Sequence, residues 1–205
     1  GIKNTTLGLE GAFQFGNHLV NTALYPNEAA NTNANRKVNA YAIQATVNHV
    51  MPDKKYAPAI GGSYTVLSGD KYQSTNDIYR GWDPMYEDQA GGTLFNKILA
   101  YTNMQILNVN GSLKPVEDLK VGVNYYYLML NKTYVDNPSS INSTGGAGSV
   151  NLTGITGDPT YNMNPYKKSL GHEIDLGLTY DYTEDVQLGL NAGAFLPGKA
   201  FAKSN

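Results

Sequence analysis

Two stretches decide the fold: Met104–Leu130, MQILNVNGSLKPVEDLKVGVNYYYLML, and His172–Leu196, HEIDLGLTYDYTEDVQLGLNAGAFL. Laid turn on turn at an offset of 67 residues, Glu117-Asp118 matches Glu184-Asp185, and Gly122-Val123-Asn124 matches Gly189-Leu190-Asn191. Each copy alternates apolar and polar residues into an acidic turn and alternates again out of it. Period two over such lengths means two antiparallel strands joined tightly. Each strand is long enough to cross a bilayer, which takes about 9–11 residues of tilted strand.

The rest of the chain extends this pattern. Leu7, Leu9, Gly11, Phe13 and Phe15 share one face of a first strand, with Gly8, Glu10, Ala12, Gln14 and Gly16 on the other. A second strand is expected over Val38–Val50, with Tyr41, Ile43, Ala45 and Val47 opposing Ala42, Gln44, Thr46 and Asn48. Met51-Pro52-Asp53-Lys54-Lys55 makes a short turn, since proline cannot sit in a central strand. A third strand is expected over about Tyr56–Ser68, and the two sister hairpins supply strands four to seven. Long polar connections are expected at about residues 18–37, 69–101 and 131–169; within the second, Thr93–Ala100 fits either a strand piece or a short helix. Long and short connections therefore alternate, as do the extracellular loops and periplasmic turns of outer-membrane barrels.

Composition narrows the function classes. With 15 Lys+Arg against 17 Asp+Glu there is no basic surface for nucleic acid. The absence of cysteine excludes disulfides, thiolate metal sites and cysteine nucleophiles. Sixteen tyrosines against five phenylalanines favour an aromatic with a wet end. No apolar run approaches the roughly 20 residues of a membrane helix, which leaves a strand-built membrane protein open. Gly1-Ile2-Lys3-Asn4 has no apolar leader core, so the reading expects a cleaved leader or a longer chain.

Assigning the apolar faces to lipid places Phe13, Phe15, Tyr41, Tyr125 and Tyr127 toward the long-loop ends, and Tyr180 and Tyr182 at the short-turn end. Those are the levels of aromatic girdles, apolar body in the membrane and hydroxyl at the headgroups. The opposite faces then line a lumen with Glu10, Gln14, Gln44, Asn108, Asn110, Lys114, Lys120, Asn124, Glu173, Asp175, Asp181, Gln187 and Asn191. The fold expected is an all-β antiparallel transmembrane barrel, or a portion of one, spanning residues 1–205 as a single domain with about seven strands.

The residues of the second hairpin resemble a known family. Gly171-His172-Glu173-Ile174-Asp175, Tyr182-Thr183-Glu184-Asp185-Val186, Phe195-Leu196-Pro197-Gly198 and the loop element Arg80-Gly81-Trp82-Asp83-Pro84-Met85-Tyr86 are similar to segments of the alginate-export-like family of bacterial outer-membrane barrels. The resemblance implies a larger single-chain channel in a Gram-negative outer membrane. Family members continue past the Phe-Leu-Pro-Gly element and carry many more strands upstream. Seven strands is an odd number, and open edges cannot face lipid. The chain is therefore expected to be part of a longer barrel, or to close with other strands or identical chains.

The sequence does not carry alginate over with the resemblance. A polyanion path calls for clustered arginine and lysine. Here the two arginines, Arg36 and Arg80, both read as loop residues, while Glu10, Glu173, Asp175 and Asp181 make the expected lining mildly acidic. Small neutral or cationic polar solutes fit better. Outer-membrane lipid and such solutes are the expected partners.

Catalytic readings find little support. His18, His49 and His172 lack metal-ligand spacing, and His172-Glu173 lacks the second histidine of a zinc-protease helix. Asp175 and Asp181 would stand roughly 20 Å apart along one strand, too far for paired acid–base work. Asp70, Asp77, Asp83 and Asp88 give an acidic loop without an EF-hand pattern, so a solvated loop is preferred to a calcium site. No enzyme, cofactor or metal is expected. Arg80, Trp82 and Asp83 are singled out as a loop that could fold inward and constrict the pore. The rival reading is a structural or surface-scaffold β protein that assembles with other chains and transports nothing.

Overall fold

The computed structural model describes residues 3–19, 35–70, 78–84, 91–95, 98, 101–133, 149–150, 161–162, 164 and 166–201. Seven long strands make up most of one antiparallel sheet: β1 (Thr5–Leu19), β2 (Asn35–Val50), β3 (Ala59–Leu67), β5 (Met104–Val116), β6 (Leu119–Leu130), β9 (Ser169–Asp181) and β10 (Gln187–Pro197). They follow one another across the sheet in chain order, and the sheet is not closed. A two-residue β4 (Ile78–Tyr79) pairs parallel with β2, and β7 (Ser149–Val150) pairs with β8 (Tyr161–Asn162) in a separate ladder. No α-helix occurs among the described residues, and no helix there is long and apolar enough to cross a membrane.

Register shows why alternation was a sound guide. One cross-strand row reads Leu9, Ala45, Tyr64, Leu107, Tyr127, His172, Leu196 from β1 to β10. The row one residue along reads Gly8, Thr46, Ser63, Asn108, Tyr126, Glu173, Phe195. The side-chain period is two, so every strand keeps its apolar set on the same face of the sheet. That apolar face is bare: Leu9 is 81% and Phe15 82% exposed, and Ile43, Val47, Leu107, Val109, Ile174, Leu176, Leu188 and Leu190 join them. A continuous apolar surface of this extent on a sheet demands a nonaqueous neighbour.

The sequence-based boundaries need adjustment in several places. The connections are shorter than expected at the first loop, because the ladder runs on through Gly16↔Val38, Asn17↔Lys37 and His18↔Arg36. The third strand starts at Ala59 rather than Tyr56, because Tyr56 and Ala57 take positive φ (69° and 39°) to complete the turn. Thr93–Ala100 is not a strand where it is described: a turn at Thr93 and Leu94 enters a 3-10 residue at Phe95, whose carbonyl accepts from Ile98 N–H at 2.9 Å. The strands β4, β7 and β8 fall inside segments read as loop. Two residues give no periodicity to detect.

A β-bulge after Leu128 brings Met129 opposite Ser169. Gly171 beside it adopts φ 138°, and a Cβ there would run into Leu196 O and Gly198 N of the neighbouring backbone. Only glycine fits this close approach.

Candidate site on the polar face of the sheet

The polar face divides into two zones. Toward the short turns it is polar, with the row Asn48, Gly61, Asn110, Asn124, Asp175 at its heart. Toward the long connections it becomes apolar: Ala40, Leu67, Met104, Ile106, Leu128 and Leu130 are all buried. They are covered by residues from the connection between β3 and β5, namely Trp82 (8% exposed), Phe95 and Tyr101. Phe95 packs edge-on to Tyr101 at 6.2 Å and tilted against Phe195 at 5.6 Å. Burying aromatic side chains of this size contributes roughly 1.5–3 kcal/mol each.

Four sets of contacts fix this connection to the sheet. At β2, Arg36 Nη2 donates to Ile78 O at 2.7 Å, meets Asp70 Oδ2 at 2.6 Å, and lies over the Tyr79 ring. Just past β3, Ser68 N donates to Tyr41 O of β2 at 2.9 Å, and Ser68 O accepts from Trp82 N at 2.9 Å and from Asn103 N at 3.2 Å. At β1, the Gln14 amide makes a two-point clasp: Nε2 donates to Asp83 O at 2.6 Å, and Oε1 accepts from Asp83 N at 2.9 Å. At β9, Glu173 Oε1 accepts from Leu94 N at 2.6 Å and Oε2 from Phe95 N at 2.8 Å. Asp175 Oδ2 accepts from Thr93 N at 2.9 Å and from Thr93 Oγ1 at 3.0 Å. Buried carboxylates are tolerable when backbone N–H groups meet them in this way. Burial, with the Glu173 carboxylate nearby, pushes the Tyr101 phenol far above its ordinary range, so that hydroxyl stays protonated.

The residues singled out from sequence fall as follows. Glu10, Gln14, Gln44, Asn108, Asn110, Lys120, Asn124, Glu173, Asp175, Asp181, Gln187 and Asn191 share the polar face by register. Lys114 lies in the irregularity between Leu113 and Val116, where strict alternation lapses. Glu173 and Asp175 are buried beneath residues 93–95, so they border protein rather than open space, and Asn108 is buried with its amide bonded to Tyr125 O and Asn110. Arg36 is a buried residue of β2 and not a loop residue; its charge is met by Asp70. Arg80 and Asp83 are exposed, and Trp82 is a core residue.

Of the acidic loop, Asp70 is engaged by Arg36, while Asp77 and Asp88 lie outside the described residues. Among the described residues no group of three or more His, Asp or Glu side chains is placed to hold a metal.

By register Phe13, Phe15, Tyr41, Tyr125, Tyr127 and Tyr180 share the apolar face, with Tyr125 near the middle of β6 and Tyr180 near the turn that Tyr182 begins. The sequence reading missed their partner His172. It stacks on Tyr127 at 4.8 Å and on Tyr125 at 5.8 Å, and its Nδ1 shares a hydrogen bond with the Tyr125 hydroxyl at 2.7 Å. β6 and β9 are joined by a long connection, so only the tertiary register, Tyr127↔His172 and Tyr125↔Ile174, sets them side by side. A further cavity of about 380 Å³ opens between sheet and connection, lined by Glu10, Gln44, Thr65, Trp82, Tyr101 and Ile106 among others.

With a bare apolar face, a polar face and a chain segment seated on the latter, comparison with known families is decisive. The profile described as Alginate export matches residues 2–205. The chain belongs to the alginate export family. No curated protein matches it. Family membership gives an all-β, membrane-associated protein with a porin-like transport role, which accords with the open antiparallel sheet and its two unlike faces.

Proposed function

We propose that this alginate export family chain forms part of the wall and the constriction of an outer-membrane channel that passes small polar solutes by passive diffusion. The observation that carries the reading is the opposition of faces: leucine, valine and aromatic side chains bare on one side, and amides, carboxylates and a docked segment on the other. The apolar face meets lipid, the Tyr125–Tyr127–His172 stack belongs to one aromatic girdle, and Tyr180 and Tyr182 belong to the other. The polar face lines the lumen. β1 and β10 pair on one side each among the described residues. Closure in lipid needs further strands to satisfy their outer edges, from the same polypeptide or another.

Charge sets the solute class. Glu10 and Asp181 are exposed on the polar face against the exposed Lys120, the Glu173–Asp175 pair is taken up by the backbone of residues 93–95, and Arg36 is neutralised by Asp70. Neutral and cationic solutes are favoured over uronate polymers. Reconstituted protein in a planar bilayer under a salt gradient is expected to show ion current with a reversal potential on the cation side. A reversal potential on the anion side overturns the selectivity, and absence of current favours the scaffold reading over the channel.

A further inference from the structure

We infer that Glu173 and Asp175 of β9 are positioning residues that hold residues 92–95 against the polar face and thereby set the width of the passage; this rests on the channel reading above. The two carboxyl groups stand two residues apart on the same face of one strand. Glu173 is 0% exposed. A strand that only needed a polar wall would have no reason to bury two carboxylates side by side. What they share is a set of donors from one short run of backbone: the N–H groups of Thr93, Leu94 and Phe95, joined by the Thr93 hydroxyl. Each oxygen of Glu173 takes one amide, a bidentate arrangement that an ionised carboxylate meets and a carboxamide cannot.

The segment is shaped to receive them. Gly92 takes φ 100°, and a Cβ on it would lie 2.6 Å from the Glu173 carboxyl carbon. On the next strand, a Cβ on Gly193 would crowd both Asp175 and Leu94, so the absence of a side chain there leaves room for the docked turn. Glycine at both places lets backbone and carboxylate close to hydrogen-bond distance. The second anchor, Gln14 on Asp83, sits on β1. β1 and β9 are five strand spacings apart in the sheet, roughly 24 Å measured along it. The two anchors therefore fix the connection at well-separated places on the polar face, one with an amide and one with a carboxylate pair.

The test compares wild type with Glu173→Gln, Gly92→Ala and Asp175→Ala, as full chains in detergent for amide exchange and in planar bilayers for conductance. Glu173→Gln sets an NH2 group against an N–H donor, and Gly92→Ala breaks the same contact from the other side without touching charge. Both are expected to speed exchange of the Thr93, Leu94 and Phe95 amides by about tenfold or more, as loss of a charge-assisted hydrogen bond implies. Both are also expected to raise single-channel conductance, while β6 and β9 amides stay protected and report an intact sheet. Asp175→Ala removes the acceptor of the Thr93 N–H and hydroxyl and is expected to speed exchange of the Thr93 amide, leaving the Leu94 and Phe95 amides on Glu173. Unchanged exchange in both disrupting variants overturns the latch. Faster exchange with unchanged conductance overturns its role in the passage. If wild type and variants alike carry no current, the channel reading falls, and the exchange result still decides the latch by itself.

Discussion

At the scale of single residues, Arg80 and Glu173 show how alike two charged residues can look in sequence and how unlike their settings are. Arg80 is exposed on the docked connection, between the β4 contact with β2 and the buried Trp82. Its neighbours are held in place by Arg36, Ser68 and Gln14, so its guanidinium projects from a fixed base. In the channel proposed here, Arg80→Ala is expected to increase conductance and strengthen cation preference, because it removes a positive charge from the constriction without unseating it. Single-channel recording checks this, and unchanged conductance and selectivity would take the segment out of the pore. Glu173 is the reverse case. Period two put it on the polar face, but nothing local to it announced that three backbone amides from some 80 positions upstream would cover the Glu173–Asp175 pair. The glycine at position 92 is a trace of that contact, legible only once its φ is known.

At the scale of elements, the strands were legible because one rule governs all of them. Each long strand buries nothing on its apolar side, so substitutions there act through the neighbouring medium. Leu176→Arg on β9 is expected to destabilise the reconstituted protein by about 2–4 kcal/mol, the scale for a charge on the lipid face near the bilayer midplane. Asn191→Arg on β10, one register row away on the polar face, is expected to change stability by less than about 0.5 kcal/mol, as surface changes usually do. Urea unfolding in lipid vesicles measures both, and equal costs would refute the two-faced assignment. The alternation also broke in an informative place. Met104, Ile106, Leu128 and Leu130 are apolar on the face that should be polar, and they are the positions covered by Trp82, Phe95 and Tyr101. The runs MQIL and YLML therefore already signalled that something packs on the inner side. The boundaries were less legible where turn chemistry intervened, as at Tyr56 and Ala57.

At the scale of the whole molecule, the sheet has more apolar surface than it can cover. Transfer from detergent to plain buffer is expected to cause aggregation, and addition of lipid vesicles to give recovery of strand signal with the vesicle fraction. Light scattering and circular dichroism of floated vesicles follow both, and a monodisperse protein in plain buffer would contradict a lipid-facing surface. Membership of the alginate export family places these physical features in a transport protein. The acidic bias of the exposed polar face remains a property of this chain, expressed through Glu10 and Asp181.

The sequence by itself determined the strands, their order, their common apolar face and the acidic turns at one end, because side-chain alternation is a local consequence of extended backbone. It also carried the likeness to the family. Tertiary structure alone decided that residues 82–83 and 93–95 of the β3–β5 connection lie on the polar face, that Arg36 pairs with Asp70, and that the sister hairpin's Glu173 and Asp175 hold backbone amides. Those pairings join residues tens of positions apart through hydrogen bonds to main-chain groups. Every residue but proline offers the same N–H, so no side-chain pattern can name the partner.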